Sequence, residues 1–298
     1  MRNLVVLAVV GLVAQLVDGS LGMAYGVTST TLLLTVGIAP AAASAAIHLS
    51  EVGTTLASGA SHWRFGNVDW SKVWWMAIPG GVGAFFGAVV LSSISAEAAQ
   101  PIVAIFLFGL GVYILVRFSF KVSNLIKEKP ISRRFLSPLG LVAGFLDAAG
   151  GGGWGPISTP TLLSSGRMQP RKVVGTVDTS EFVVALCASA GFLVSLSFAE
   201  IPLGVVAALL VGGVVAAPLA AWFVRYLHPR VLGTAVAGVI LLTNARTFLK
   251  TVGIDPGVNY FVYAAIVTIW LVALYFALAF ARRDSRPLLG SSEASPQS

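Results

Sequence analysis

The motif GLVAQLVDGSLGMAYG at residues 11–26 returns 129 residues later as GLVAGFLDAAGGGGWG. Asp18 matches Asp147, Gly22 matches Gly151 and Gly26 matches Gly155. With one residue inserted after Thr159, the register runs on through Pro40/Pro170, Ser50/Ser180 and Glu51/Glu181, giving 15 identities over the 41 positions from Gly11 to Glu51. The chain is therefore built twice from one unit. The copies agree best where a carboxylate and a glycine break interrupt an apolar segment. Such a break, placed alike in two copies, is the pattern of a membrane transporter with its site at a repeat interface.

Composition points the same way. Charged residues make up 10% of the 298 and hydrophobic ones 56%, against about a quarter charged in a soluble domain. Mean hydropathy is +0.88. Long apolar stretches joined by short loops predict an all-α polytopic membrane protein, expected in the inner (plasma) membrane with the lipid bilayer as its surroundings. The net charge of +7 falls mainly in loops, where it orients the chain in a membrane, so no nucleic-acid partner is expected. The single Cys187 excludes an intrachain disulfide. Residues 1–17 imitate a signal peptide, but the segment recurs in mid-chain, so it is read as structure.

The expected organisation is a first membrane repeat over 1–119, a cytoplasmic linker over 120–134 and a second repeat over 135–250. An extra C-terminal helix over 258–281 and a disordered tail over 285–298 complete it. Each repeat opens with a split segment, 4–17 plus 22–36 and 135–146 plus 151–164. Three longer segments follow in each: 41–61, 73–91 and 99–116, then 173–196, 202–224 and 231–249. The longer segments can cross a hydrocarbon core, which takes roughly 20 residues. The split halves are shorter and predict a hairpin that enters the membrane and turns back, at ~1.5 Å per residue.

Charge tests that reading. If each hairpin returns to its starting side, 16 of the 19 Lys and Arg residues share one face, leaving Arg2, Arg246 and Lys250 opposite with the acidic turns at Glu97 and Glu200. The positive-inside rule then favours the hairpins. Each repeat crosses a net odd number of times, so the copies are expected to be inverted, with the N-terminus outside and the C-terminus cytoplasmic. The glycines at 80, 81, 83 and 87, and at 212 and 213, read as close helix packing, the alternative being the seam of a homodimer.

The hairpin tips are the first chemical candidates. Non-helical backbone inside a membrane persists only where protein or water satisfies its N–H and C=O groups. Gly150, Gly151, Gly152 and Gly153 permit torsions and close approaches that other residues do not, as does Gly22 in the first copy. A half-helix begins just after each tip and presents free N–H groups and a positive dipole end. Two such ends at mid-membrane suit a small oxyanion. Tyr25, Trp154, Ser29, Thr30, Ser158 and Thr159 line the same stretches. Glycine turns that merely fold a hairpin are the bland alternative.

Five carboxylates, Asp18, Glu51, Asp147, Asp178 and Glu181, fall in segments expected within the membrane. An unpaired charge there costs at least ~2.5–3.5 kcal/mol on insertion scales, which makes each a functional candidate. With almost no cation at the same depth, some must be neutral or hold a cation. Asp18 and Asp147 precede the tip glycines, where a carboxylate can cap a half-helix. Asp178 and Glu181 share one helix face, as do His48 and Glu51 in the first copy, so a proton relay is the functional reading. His62 and His228 are assigned to interfaces, Arg117 to an anchoring role, and Asn244 with Arg246 stays ambiguous. There is no spaced His/Cys metal cluster, no Walker-type loop and no Ser/His/Asp set. No cofactor, metal or ATP-driven pump is expected.

At GLVAGFLDAAGGGGWGPISTPTLL and RKVVGTVDTSEFVVAL the chain resembles the sulfite exporter TauE/SafE family of integral membrane proteins, over about residues 4–281. The resemblance implies a secondary transporter of small sulfur-containing anions such as sulfite or organosulfonates. The first copy matches less well, with one glycine where the second has four. The expected function is export of such an anion by alternating access with proton coupling, and not enzymatic. The alternatives are carriage of another small organic anion or a carboxylate-based cation carrier, and after them a membrane-embedded enzyme. The four-glycine tip of the second copy is expected to carry more of the substrate contacts than the first.

Overall fold

In a computed structural model, residues 2–119, 131–165, 167–223, 229–254 and 256–284 are described, and nearly all are helical. The first repeat forms α1 (Arg2–Leu21), α2 (Tyr25–Thr35), α3 (Pro40–Arg64), α4 (Trp70–Ser92) and α5 (Ala96–Ser119). The second forms α6 (Arg133–Gly150), α7 (Trp154–Ser165), α8 (Pro170–Ser195), α9 (Leu203–Phe223) and α10 (Pro229–Val252), and α11 (Pro256–Asp284) follows. Most of the expected linker, the tail at 285–298 and His228 lie outside the described residues.

Helix ends follow local chemistry. Pro40 and Pro170 open α3 and α8 at the first turn, where a fixed φ helps and a missing N–H costs nothing. Asp69 caps α4 through the Ser71 amide at 3.1 Å. Before α9, Glu200 accepts from the Ser197 amide and hydroxyl, both at 2.7 Å, and these bonds hold its carboxyl below the ordinary carboxylate range. Both split segments break at the matched glycines, Gly22 with φ +67° and Gly151 with φ +71°. The first halves are longer than expected, 20 residues in α1 and 18 in α6. Helix continues past Asp18 and Asp147 and yields only where the backbone turns left-handed.

Among the described residues, six helices, α4, α5 and α8–α11, are long and apolar enough to cross a membrane. The chain is a multi-pass helical membrane protein. α3 has 25 residues but carries Ser44, His48, Ser50, Glu51, Thr54, Thr55, Ser58 and His62, all buried. A helix this polar is tolerated because its neighbours, and not lipid, surround that face.

Small residues set the packing. A Cβ on Gly144 of α6 would lie 2.1 Å from the Gly80 carbonyl oxygen of α4, and one on Gly83 the same distance from that of Leu141. The α1–α9 pair repeats this, with Gly11 on the Leu209 backbone and a Cβ on Gly212 only 1.9 Å from the Ala8 oxygen. These glycines therefore pack helices within one chain. Contacts ascend together along α4 and α6 (Met76 with Gly140, Gly87 with Phe145) and along α1 and α9 (Leu4 with Gly204, Gly19 with Ala220), so both pairs run parallel. α3 and α8 run antiparallel: Gly59 meets Thr179 near one end, and the His48 ring stacks on Phe192, 6.0 Å between centroids, near the other. α11 leans on α10, where Trp270 covers Gly238 and donates to the Thr234 carbonyl at 3.0 Å.

Gly144→Val should part α4 from α6, destabilising the fold by on the order of 1–3 kcal/mol as overpacking does. Gly109, with open space where its Cβ would stand, should accept Ala without loss. Thermal denaturation of the purified variants in detergent checks the pair.

Candidate substrate and proton site

The two hairpin tips meet. Thr30 of α2 donates to the Gly151 carbonyl, and Thr159 of α7 donates to the Gly22 carbonyl. Thr30 and Thr159 occupy matched positions, as do Gly22 and Gly151, so each copy gives the other the same bond. A Cβ on Gly26 would lie 2.9 Å from Gly152 Cα, and one on Gly155 would lie 2.6 Å from Met23 Cα. The glycines at 26, 152 and 155 are needed because one backbone rests on another.

Each tip is tied to its own aspartate. Asp147 Oδ1 accepts from the Gly153 and Trp154 amides at 2.7 and 3.0 Å. Asp18 Oδ1 accepts from the Tyr25 amide at 3.2 Å. The capping role expected of both carboxylates is thus present in the geometry. Ala24, at the place of Gly153, holds φ 98° without being glycine, a conformation that costs about 1–3 kcal/mol unless its surroundings enforce it. The asymmetry expected between the tips runs differently here, since the second tip spends two amides on its own carboxylate. The amides of Gly26, Val27 and Gly155 take no part in the backbone hydrogen bonds found outside the helices.

The ring residues are also engaged. Tyr25 reaches Ser50 at 3.1 Å and the Leu209 carbonyl at 3.4 Å, and Trp154 donates from Nε1 to the Val177 carbonyl at 3.0 Å. Both rings are buried and wedge the hairpins against α3 and α8. Ser29 and Ser158, again matched positions, differ from them: each hydroxyl is fully buried without a hydrogen-bond partner. Gly150 packs against Phe106 and stands back from the crossing.

The titratable groups assemble across the copies. His48 Nδ1 lies 2.8 Å from Glu51 Oε2 and 3.9 Å from Asp147 Oδ2. The matched residues Asp178 and Glu181 gather with Asp18, and in both trios the polar atoms lie within 4.8 Å of one another. All six side chains are buried. Each trio joins the tip carboxylate of one repeat to a helix face of the other, so moving a hairpin would change the trio's geometry. Each trio thus gathers three side chains able to take up a proton or hold a cation.

The sequence placed the two i, i+3 pairs and the two caps correctly on their elements, but spacing within one helix could not reveal that a trio forms between repeats. It missed Gln15 and Ser58, both buried with unpartnered polar atoms. Gln15 lies three residues before Asp18, which was the available signal. His62, assigned to an interface, is buried beside Asp178. Asn244 donates to Thr31 at 2.7 Å and to the Ile240 carbonyl at 2.9 Å, tying α10 to α2. A groove of about 430 Å³ between α3, α4 and α8, lined by Trp63, Trp70, Trp74 and Phe182 among others, is apolar and stands apart from these groups.

The model of the family described as "Sulfite exporter TauE/SafE" matches residues 7–247. The chain belongs to this family. It is also similar to the "Probable membrane transporter protein YtnM" of Bacillus subtilis (strain 168), with 52% identity over 281 residues, covering 94% of each chain. No solved structure matches it. In this TauE/SafE family member, a membrane transporter and not an enzyme, both hairpin tips and both trios lie inside the matched residues.

Asp147→Ala should leave the Gly153 and Trp154 amides unpaired and cost about 0.5–2 kcal/mol, the usual range for a lost cap. Asp147→Asn keeps an acceptor and should retain most of that stability. Melting of the two variants side by side separates the cap from the charge.

Proposed function

We propose that this transporter carries small sulfur-containing anions, sulfite or organosulfonates, out of the cell by proton-coupled alternating access. The reading is supported chiefly by the matched pair Ser29 and Ser158, buried hydroxyls without partners in the two half-helices that open at the crossed tips. Positive dipole ends, free amides and unspent hydroxyls together favour an oxyanion. The family description and the sequence resemblance supply the sulfur chemistry.

The tips touch in this conformation, so substrate is admitted when one hairpin slides off the other. That motion breaks the reciprocal threonine bonds and opens both trios, because each trio includes a tip carboxylate. Proton loading at the trios offsets negative charge as the anion enters, which is the physical basis proposed for coupling. Antiparallel α3 and α8, equivalent in the two copies, support an inverted pair of repeats, and rocking of one against the other would face the site to each side in turn. The basic loops favour a cytoplasmic C-terminus in a protein of the inner membrane. The reading requires no nucleic acid or cofactor.

In proteoliposomes, an inward or outward pH gradient should drive sulfite flux, and a small organosulfonate should compete. A hydrogen bond to a charged group contributes about 1.5–3 kcal/mol. Ser29→Ala and Ser158→Ala should therefore each raise KM about tenfold or more, with little change in folding. Unchanged KM in both variants would remove the anion from the tips, and flux blind to the pH gradient would remove the coupling.

A further inference from the structure

The two trios are matched in register but differ in what surrounds them. Carried to the ends of α3 and α8, the register pairs Ser58 with Ala188 and His62 with Phe192, and in the hairpin helices it pairs Gln15 with Gly144. On the His48 side, the Phe192 ring stacks over the imidazole and closes that trio with hydrocarbon. On the Asp178 side, the same place holds a second histidine. Asp178 lies beside the Ser58 hydroxyl and near His62, all three are buried, and His62 Nε2 has no hydrogen-bond partner. The Ser58 hydroxyl lies 3.9 Å from where a Cβ on Gly19 would stand, next to Asp18 and Gln15, whose amide nitrogen is likewise buried and unpartnered.

His62 leads outward. Its Nδ1 lies 3.3 Å from Asn67 Nδ2, and Asn67 sits partly exposed in the loop between α3 and α4. That loop is the face with Arg64 and Lys72. We infer that His62 and Asn67 form a proton entry route to the Asp18–Asp178–Glu181 trio from the Arg64/Lys72 face, a route the His48 trio lacks. The inference deepens the proton-coupled reading above and rests on it.

The step balances with the groups present. With the Asn67 amide donating to Nδ1, the neutral ring carries its proton on Nε2, the buried nitrogen without a partner. A proton delivered to Nδ1 as Asn67 turns gives an imidazolium, and the Nε2 proton passes to the Asp178 carboxylate through the Ser58 hydroxyl, which takes up one proton as it gives up another. The ring is left neutral with its proton on Nδ1, and the turned Asn67 amide offers that proton its carbonyl oxygen. The groups facing His62 can be named element by element. Asp178 lies on α8, with Arg171 and Lys172 at its start, where the Lys172 amine is bonded to the Val68 carbonyl at 3.2 Å. Asp18 lies on α1, Glu51 and Arg64 on α3 itself, and Asp69 with Lys72 at the start of α4, while α9 brings no titratable side chain among its described residues.

The route is tested on the full chain in reconstituted membranes by infrared spectroscopy after exchange of water for D₂O. Deuteration shifts the carbonyl stretch of a protonated carboxyl, and the trio's component is the part lost in Asp178→Asn. His62→Phe, which copies the residue at the matched place, should slow deuteration of that component at least tenfold. His62→Gln should slow it similarly, and it carries the test if the Phe variant does not fold. Exchange as fast as in the unaltered protein in either folded variant, or no component lost in Asp178→Asn, overturns the route. Proton uptake during sulfite flux by the unaltered protein is measured separately. Its absence would sink proton-coupled sulfite transport while the exchange rates still decide on the route.

Discussion

A backbone that leaves the helix inside a membrane must find partners for its polar groups, and nearly everything distinctive about this chain follows from that requirement. The partners are the carboxylates of Asp18 and Asp147, which take the first amides of α2 and α7, and the threonines of the opposite copy, which take the carbonyls of Gly151 and Gly22. Neither hairpin completes its own hydrogen bonds. Each tip is stable only against the other, so the duplication is what allows the breaks.

The same bonds set the chemistry. One oxygen of each tip aspartate is committed to the backbone, and Asp147 turns its other oxygen towards His48, 3.9 Å away. Fixing the hairpin therefore fixes a titratable group at the crossing, against a helix from the other repeat. The packing glycines serve this arrangement from outside: α4 against α6 and α1 against α9 lock each first half-helix to the other repeat at backbone distance. In the proposed mechanism a hairpin that moves carries its carboxylate with it, which would give protonation a way to act on position.

Much of this was legible in the sequence for definite reasons. The glycine breaks, the capping aspartates and the acids at i, i+3 are local patterns whose meaning depends on the next few residues. Helix α3 was legible as a membrane-length segment, and His48 with Glu51 marked it as a candidate. What could not be read were relations across the copies. Nothing near His48 announces that Asp147 will lie beside it, and nothing near His62 announces Asp178. The extra length of α1 and α6 was missed because Asp18 and Asp147 look like helix stops, whereas the stop is set by the left-handed glycine four residues on. Tyr25 and Trp154 looked like ligands because ring residues beside a glycine tip often are, but their polar atoms are spent on α3, α8 and α9.

The central claim is that two equivalent repeats face opposite ways, so that matched loops lie on opposite sides of the membrane. Side-specific labelling of single cysteines tests it most directly. In a Cys187→Ser background, Phe65→Cys reports the loop between α3 and α4, and Ala199→Cys reports the matched loop between α8 and α9. Both positions are exposed. An impermeant maleimide added to intact cells should modify Ala199→Cys and leave Phe65→Cys unmodified until the membrane is opened. Modification of both from the outside, or of neither, would contradict the account.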